Sequence, residues 1–148
     1  MDDELKTQTR KDWRELGFFY DCDDVAKEWI VVGSRLGLAA FSISLREYVA
    51  DPSNAMQSEH EHYGPYMYLE VMTWTDAGMD DHSIHGTLLD LERLAELVDA
   101  QAAVLQPGDR VRIREKYSAT SEYGLVLVLR EDGFDPASLD ESLGTTAT

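Results

Sequence analysis

Residues 125–130 read "LVLVLR", with apolar side chains at five successive positions. Neighbouring side chains of a strand point to opposite faces, so a strand here would present hydrophobic residues on both faces. Strands of that kind lie inside a sheet, with other strands beside them and other layers on their faces. The segment therefore predicts a central strand, which the rest of the chain has to cover.

Four other segments of the chain carry strand patterns. "GFFYDCDD" and "AKEWIVVGS" are rich in aromatic and β-branched residues, which predicts a hairpin with strands at 17–22 and 27–32. "YMYLEVMTW" (66–74) alternates aliphatic residues with aromatic and acidic ones. "RVRIREKY" (110–117) alternates apolar residues with arginines, so it also predicts a strand with two different faces.

Two amphipathic helices are predicted between these strands. Ser34 has the residue type of an N-cap, and its helix is expected to end near Ala50, before Asp51-Pro52. Apolar residues recur there at spacings of three and four: Leu38, Phe41, Leu45 and Tyr48. Thr87 and Asp90 match a capping box for the second helix. The apolar stripe of that helix comprises Leu88, Leu91, Leu94, Val98, Ala102 and Leu105.

These elements predict an α+β fold with the order ββαβαββ. We expect a two-layer sandwich, in which both helices cover one face of an about five-stranded, mostly antiparallel sheet. Residues 1–16 are expected to form an arm or a short helix, 17–134 one α+β domain, and 135–148 a flexible tail. The other face of the sheet would carry both the tyrosines of the third strand and the arginines of the fourth.

The charge is strongly negative and unevenly distributed. There are 29 acidic and 13 basic residues, a net charge of −16, and from Glu47 to Glu92 ten acids stand without a lysine or arginine. This balance disfavours nucleic acid and anionic membranes as partners. The chain shows no signal peptide and no membrane-spanning run, so we expect a cytoplasmic protein. The lone cysteine, Cys22, forms no internal disulfide.

The segment "SEHEHYGPY" (58–66) concentrates hydrogen-bonding and titratable side chains. All four histidines of the chain lie within 26 residues: His60, His62, His82 and His85. Together they could form a zinc site, although the spacing matches no recognised zinc motif. In an extended segment Glu59 and Glu61 would point away from the histidines, which weakens a mixed site. The alternative is that the histidines hydrogen-bond to tyrosines or the backbone and brace a binding loop.

The sequence contains no recognisable catalytic motif. Ser58 and Cys22 are possible nucleophiles and Glu61 and His62 possible bases, but no nucleophile elbow, H-E-x-x-H or phosphate-binding loop sets them in place. We therefore predict no catalytic residues and no cofactor. The arginines of "RVRIR" are expected to pair with carboxylates such as Glu70 across the sheet. If they are unpaired, a small-anion sensor is a further alternative.

Aromatic residues inside the acidic block favour a protein interface. Tyrosine and tryptophan commonly anchor interfaces, while Tyr63 or Trp74 is expected to fill the core. The Gly64-Pro65 pair is expected to stiffen the approach to the strand. The predicted partner-binding residues are Glu59, His60, Glu61, His62, Tyr63, Tyr66, Tyr68, Glu70, Asp76, Asp80, Asp81 and His82.

Over residues 17–134 the chain resembles the small acidic immunity proteins of bacterial polymorphic toxin systems, including contact-dependent and type VI secretion systems. The resemblance is carried by the "WIVVGSRLGLAAF" strand-to-helix join, the "SEHEHYGPYMYLEVMTW" segment and the closing helix and hairpin. It implies a non-catalytic protein, monomer or homodimer, that covers the active site of a cognate toxin. It also implies that this toxin is basic. The alternative remains a metal-binding domain or metal-dependent enzyme that uses the four histidines.

Overall fold

The computed structural model describes residues 2–144, which form three α-helices and two mixed four-stranded sheets. The helices are α1 (Asp3–Leu16), α2 (Arg35–Ala50) and α3 (Leu88–Val104). The strands are β1 (Phe19–Asp23), β2 (Glu28–Gly33), β3 (His60–Tyr63), β4 (Leu69–Thr73), β5 (Gly78–Met79), β6 (Ile84–Gly86), β7 (Arg110–Ile113) and β8 (Gly124–Leu129). The predicted α+β class is confirmed. The observed order, αββαββββαββ, and the two sheets replace the predicted ββαβαββ sandwich.

The first sheet has the strand order β1-β2-β8-β7. β8 lies inside it, parallel to β2 and antiparallel to β7, so the central strand predicted from "LVLVLR" is confirmed. Val31 on β2 pairs with Leu127 on β8, and both side chains are fully buried. The hairpin β1-β2 also forms where the sequence predicts it, displaced by one or two residues.

The second sheet has the strand order β3-β4-β6-β5 and is built only from residues between α2 and α3. It is therefore inserted between the two halves of the first sheet. The sequence pattern identifies one of its four strands, β4. β3 consists of polar residues, "HEHY", and β5 and β6 contain two and three residues, which is too short for a two-residue period to be visible.

The division into two sheets changes which residues share an open face. The tyrosines next to β4 and the arginines of β7 belong to different sheets, so the predicted common face is wrong. The expected pairing of the arginines with Glu70 is wrong for the same reason. Arg110 and Arg112 instead reach across β8 to the carboxylate of Glu28 on β2, at 3.3 and 3.2 Å.

Neighbouring carboxylates pair with the arginines of this face. Arg112 can cross β8 because Gly124 has no side chain, and a Cβ there would lie 2.8 Å from the Arg112 guanidinium carbon. Beyond the end of β7, Arg114 pairs with Glu115 at 2.8 Å. Each of the three arginines therefore has an acidic partner, which removes the condition for a small-anion site on this face.

Helices α2 and α3 pack against each other and against the first sheet. Their predicted caps form: Ser34 Oγ accepts from the Gly37 amide at 3.3 Å, and Thr87 and Asp90 make a reciprocal capping box. The predicted stripe of α2 is entirely buried, and Leu91, Leu94 and Val98 of α3 are buried as well. No helix within residues 2–144 has both the length and the apolar character needed to cross a lipid bilayer.

The two ends of the chain pack on each other. The residues of the expected arm form the 14-residue helix α1, whose Trp13 is buried. The Arg14 guanidinium donates to both carboxylate oxygens of Asp135, at 3.2 and 2.9 Å. Residues 135–144, which the sequence analysis places in a flexible tail, contain two short 3-10 helices, and the first of them lies against α1. The last four residues lie outside the described part of the chain.

The first turn of α2 passes very close to the end of α1. A Cβ on Gly37 would lie 2.6 Å from the backbone carbonyl oxygen of Gly17, which no side-chain rearrangement relieves. Alanine favours helices over glycine by about 1 kcal/mol. We nevertheless predict that Gly37→Ala lowers the free energy of unfolding by about 1–3 kcal/mol, the usual range for overpacking, as measured by urea denaturation.

Leu36→Ala provides the matched control on the same helix. Leu36 is 84% exposed, so its substitution should change the free energy of unfolding by no more than about 0.5 kcal/mol. A Gly37→Ala variant as stable as the wild type would contradict the close approach of the two helices.

Candidate functional site

A groove of about 1050 Å³ lies between the edge strand β1 and the second sheet. We define it by three walls. The first comprises Trp13, Phe19, Tyr20, Asp21, Cys22, Asp24 and Trp29. The second comprises His62, Tyr66, Met67, Tyr68, Glu70, Asp81 and His82, and the third is formed by residues 139–142. The groove therefore joins the N-terminal hairpin, the inserted sheet and the C-terminal segment.

The turn between β3 and β4 shapes the second wall. Gly64, Tyr66 and Met67 all have left-handed backbone conformations, with φ of 73°, 67° and 60°. A left-handed residue other than glycine costs about 1–2 kcal/mol, so surrounding contacts have to hold this turn. Tyr66 and Met67 therefore lie outside the strand. The strand predicted from "YMYLEVMTW" is wrong at this end, because β4 begins at Leu69.

Tyr20 on β1 holds the middle of the turn. Its hydroxyl donates to the Pro65 carbonyl at 2.6 Å and accepts from the Tyr68 amide at 3.1 Å. Its ring also packs so closely on the turn that a Cβ at Gly64 would lie 2.9 Å from Tyr20 Cε1. The turn is thus fixed to the first sheet by hydrogen bonds between the Tyr20 hydroxyl and the turn backbone, which do not depend on the side chains that the turn displays.

Asp140 holds the outer end of the turn. Its carboxylate accepts from the Tyr66 hydroxyl at 2.6 Å, from Trp13 Nε1 at 2.8 Å, and from the amide and hydroxyl of Ser142. Only 9% of Asp140 is exposed. Burial acts to raise the pKa of Asp140, but the hydrogen bonds from Ser142, Tyr66 and Trp13 favour the ionised form more strongly and hold the pKa below its ordinary value.

The fixed turn displays three consecutive large apolar side chains to solvent. Tyr66, Met67 and Tyr68 are 40%, 56% and 70% exposed. The rings of Tyr66 and Tyr68 are stacked, with centroids 5.8 Å apart. Exposed aromatic and methionine side chains on a rigid backbone are typical of protein-binding surfaces, because little conformational entropy is lost when a partner covers them.

The groove is lined with negative charge. It contains six carboxylates and no lysine or arginine; the carboxylates are Asp21, Asp24, Glu70, Asp81, Asp140 and Glu141. Clefts lined by charge of one sign concentrate the electrostatic field and attract ligands of the opposite sign. The groove is therefore suited to a cationic ligand with apolar parts, such as a basic protein surface.

Cys22 does not provide a nucleophile in this groove. Burial and the nearby Asp24, which its thiol approaches at 3.5 Å, raise the pKa of Cys22 to about 12. The reactive form of cysteine is the thiolate, which is scarce at neutral pH when the pKa is that high. The geometry therefore favours binding over covalent chemistry at this position.

Half of the twelve predicted partner-binding residues line the groove: His62, Tyr66, Tyr68, Glu70, Asp81 and His82. His60 lies beside His62 on the same strand. Tyr63 is half-buried against the core, as expected, and Asp80 shapes its own loop by accepting from the amides of His82 and Ser83. The remaining predicted residues, Glu59, Glu61 and Asp76, are exposed but do not line the groove.

The four histidines do not form one cluster. His60 and His62 on β3 face Glu70 on β4, and this is the one group of potential metal ligands in residues 2–144. His82 is exposed beside Asp81, and His85 is half-buried with its Nδ1 2.9 Å from Ser83 Oγ. The alternation of Glu59 and Glu61 with the histidines weakens the case for a mixed site within this segment, but the glutamate that meets the histidines comes from the next strand.

Sequence reasoning missed the first and third walls. Trp13, Tyr20 and Asp140 lie far apart in the chain, and no motif joins them. A signal was nevertheless present. Trp13 stands alone in a polar helix, and an isolated tryptophan there needs a partner for both its ring and its N–H. Asp140 supplies the partner for the N–H.

We predict that Asp140→Asn lowers the free energy of unfolding at neutral pH by about 1–3 kcal/mol, the range for hydrogen bonds to a buried charged group. Because the folded-state pKa is depressed, this stabilisation is present above the unfolded-state pKa of about 3.9 and is lost as pH falls below it. Urea titrations of both proteins at several pH values should show their difference shrinking below about pH 4.

Tyr66→Phe separates the hydrogen bond from the ring. A double-mutant cycle with Asp140→Asn should give a coupling free energy of about 1 kcal/mol or more at neutral pH. Additive effects of the two substitutions would contradict the anchoring of the turn through this bond.

Comparisons with known proteins give no indication of what the groove binds. Comparisons of the chain with models of protein families, with curated proteins and with solved structures found no match. What the chain binds therefore has to be inferred from the residues of the groove: six carboxylates, an exposed pair of stacked tyrosines and a backbone fixed from two sides.

Proposed function

We propose that this chain is a non-catalytic binding protein of the cytoplasm that neutralises a basic toxin domain by covering its active site. The observation that carries the proposal is a groove with six carboxylates and no lysine or arginine, beside an exposed apolar turn. The resemblance to the immunity proteins of polymorphic toxin systems supports the same class. Proteins that bind nucleic acid carry basic surfaces that contact the phosphates, and an anionic groove is complementary to such a surface.

The carboxylates act mainly on the rate of association. Complementary charge can raise association rate constants from about 10⁵–10⁶ M⁻¹s⁻¹ to about 10⁸–10⁹ M⁻¹s⁻¹ at low salt. The groove acids add to a chain whose net charge is −16, so long-range attraction and local complementarity have the same sign. An inhibitor that has to intercept a toxin before it acts benefits from this speed.

The exposed turn acts mainly on the rate of dissociation. Tyr66, Met67 and Tyr68 present apolar surface next to the charged groups, which is the arrangement of an interface anchor with a polar rim. Tyr66 is held by Asp140, whereas Tyr68 makes its ring contact with Tyr66 and is 70% exposed. Tyr68 is therefore the residue best placed to enter a partner.

The turn is also organised before a partner arrives. Its backbone is bonded to Tyr20 and its first tyrosine to Asp140, so its conformation does not have to be selected on binding. Rigid surfaces bind more tightly than flexible ones of equal area because less entropy is lost. These contacts thereby hold two strained, left-handed residues in the conformation that binds a partner.

The test begins with the reading frame next to this chain, because an immunity protein and its toxin are expected to be encoded together. The toxin domain from that frame should stop bacterial growth when produced in the cytoplasm, and co-production of this chain should restore growth. The purified proteins should form a stable complex in which the activity of the domain is inhibited. A neighbouring domain that this chain neither binds nor inhibits would contradict the proposal.

Charge reversal tests the electrostatic part. We predict that Asp81→Lys in the groove slows association about ten-fold at low salt and that this loss disappears near 1 M salt, where the Debye length is about 3 Å. Glu96→Lys makes the same change in net charge on the exposed side of α3, away from the groove, and should have a smaller effect. Stopped-flow measurements provide both rate constants. Equal slowing by both variants would show that only net charge matters.

Truncation of Tyr68 tests the apolar part. We predict that Tyr68→Ala increases the dissociation rate constant about 10–30-fold, corresponding to about 1.5–2 kcal/mol for an interface anchor, with little change in association. Because the side chain is largely exposed, the free energy of unfolding should be nearly unchanged. Leu89→Ala, which removes another exposed side chain on α3, is the control. An unchanged dissociation rate for Tyr68→Ala would exclude the turn as an anchor.

A further inference from the structure

We propose that His60, His62 and Glu70 form a binding site for a divalent transition-metal ion, of which Zn²⁺ is the best match, at the rim of the groove. The site shares His62 and Glu70 with the groove, but zinc binding can be measured without a protein partner. His62 and Glu70 both line the groove, so the open side of the ion would face into it.

The strand register brings the three ligands together. His62 on β3 pairs directly with Glu70 on β4, and His60 lies two residues away, so the three side chains share one face of the sheet. Their potential ligand atoms all lie within 4.8 Å of one another. Strand pairing thus brings together three potential metal ligands that the spacing of the histidines along the chain does not predict.

The distances suit an ion better than direct contact. Nε2 of His60 and of His62 lie 3.9 and 3.7 Å from the same oxygen of Glu70, which is too far for a hydrogen bond. Ligands of tetrahedral zinc, with bonds of about 2.0–2.1 Å, are separated by about 3.4 Å. The Glu70 oxygen would have to approach the two nitrogens by about 0.3–0.5 Å, and the two imidazole nitrogens lie within 4.8 Å of each other, so rotations of these partly exposed side chains are needed to complete the geometry.

The orientation of both histidine rings suits metal binding through Nε2. His60 Nδ1 lies 3.0 Å from the Ser58 carbonyl, and His62 Nδ1 lies 3.0 Å from the Met67 carbonyl. A carbonyl only accepts, so Nδ1 of each ring donates to it, and Nε2 is the nitrogen that remains for a metal ion. Metal-bound histidines commonly donate their second nitrogen to a backbone carbonyl in this way.

Two strained backbone positions supply these carbonyls. Ser58 and Met67 have φ of 75° and 60°, a conformation that residues other than glycine rarely adopt. The strain places both carbonyl oxygens against the histidine rings. Backbone strain of this kind concentrates at ligand sites, where it fixes the orientation of functional groups.

The composition of the set selects the class of metal. Two imidazoles and one carboxylate suit zinc, copper, nickel or iron, whereas magnesium and calcium prefer sites made of oxygen. Glu70 is the most enclosed of the three, with 18% of its side chain exposed, and within residues 2–144 its ion-pair partners are His60 and His62. Three protein ligands leave at least one position for water or an external ligand.

Isothermal titration of the untagged, metal-free chain with ZnCl₂ tests the site. We expect one zinc ion per chain, and His60→Ala and Glu70→Gln should each weaken binding by at least about ten-fold. His82→Ala is the matched control, because His82 is exposed but lies outside the cluster, and it should bind zinc as the wild type does. Urea denaturation of each variant without zinc establishes that folding is unchanged.

Nitrogen-detected NMR of the histidine side chains reports metal coordination directly. If His60 and His62 had only a structural role, zinc would not shift their Nε2 resonances. Without metal, His60 and His62 should show protonated Nδ1, and zinc should shift Nε2 of these two rings while leaving His82 unchanged. Failure to bind zinc at micromolar concentrations, or binding that survives Glu70→Gln but is lost with His82→Ala, would overturn the proposal. Neither result bears on partner binding, which the growth test measures separately.

Discussion

The shape of the groove depends on the turn at residues 64–68, which is held in a left-handed conformation from two sides. Tyr20 binds its backbone from the first sheet, and Asp140 binds Tyr66 from the C-terminal segment. Without these anchors the conformational strain of Tyr66 and Met67 would be released, and both the exposed tyrosine pair and the carbonyl that orients His62 would move. One strained turn therefore connects the binding surface, the metal ligands and the packing of the chain ends.

This arrangement concentrates part of the negative charge of the chain in the groove. The segment 47–92, which contains no lysine or arginine, contributes Glu70 and Asp81 to the groove. The other four of the six groove carboxylates come from the first hairpin and the C-terminal segment. On the face that carries the arginines of β7, acids pair with arginines, as Glu28 does with Arg110 and Arg112. Arginines thus pair with the carboxylates of that face, whereas no arginine or lysine lines the groove beside its carboxylates. This contrast favours a specific role for the groove charge over solubility alone.

Much of the fold was predictable from local patterns. The central strand β8, the hairpin β1-β2 and the caps of α2 and α3 follow from hydrophobic period and capping chemistry, which act within a few residues. The second sheet was not predictable, because β3 is polar and β5 and β6 are too short to show a period. The site was predictable only where its residues stand close together in the sequence. Tyr68 and His62 stand in a conspicuous segment, whereas Trp13 and Asp140 become neighbours only through tertiary packing.

The groove is the surface proposed to meet a basic protein. Hydrogen–deuterium exchange of this chain, alone and bound to the toxin domain encoded beside it, tests that location directly. Binding should slow exchange in residues 19–24, 66–70, 80–83 and 139–142, which surround the groove, and leave the exposed side of α3 unchanged. Slower exchange confined to α2, α3 or the arginine face, with none around the groove, would contradict it.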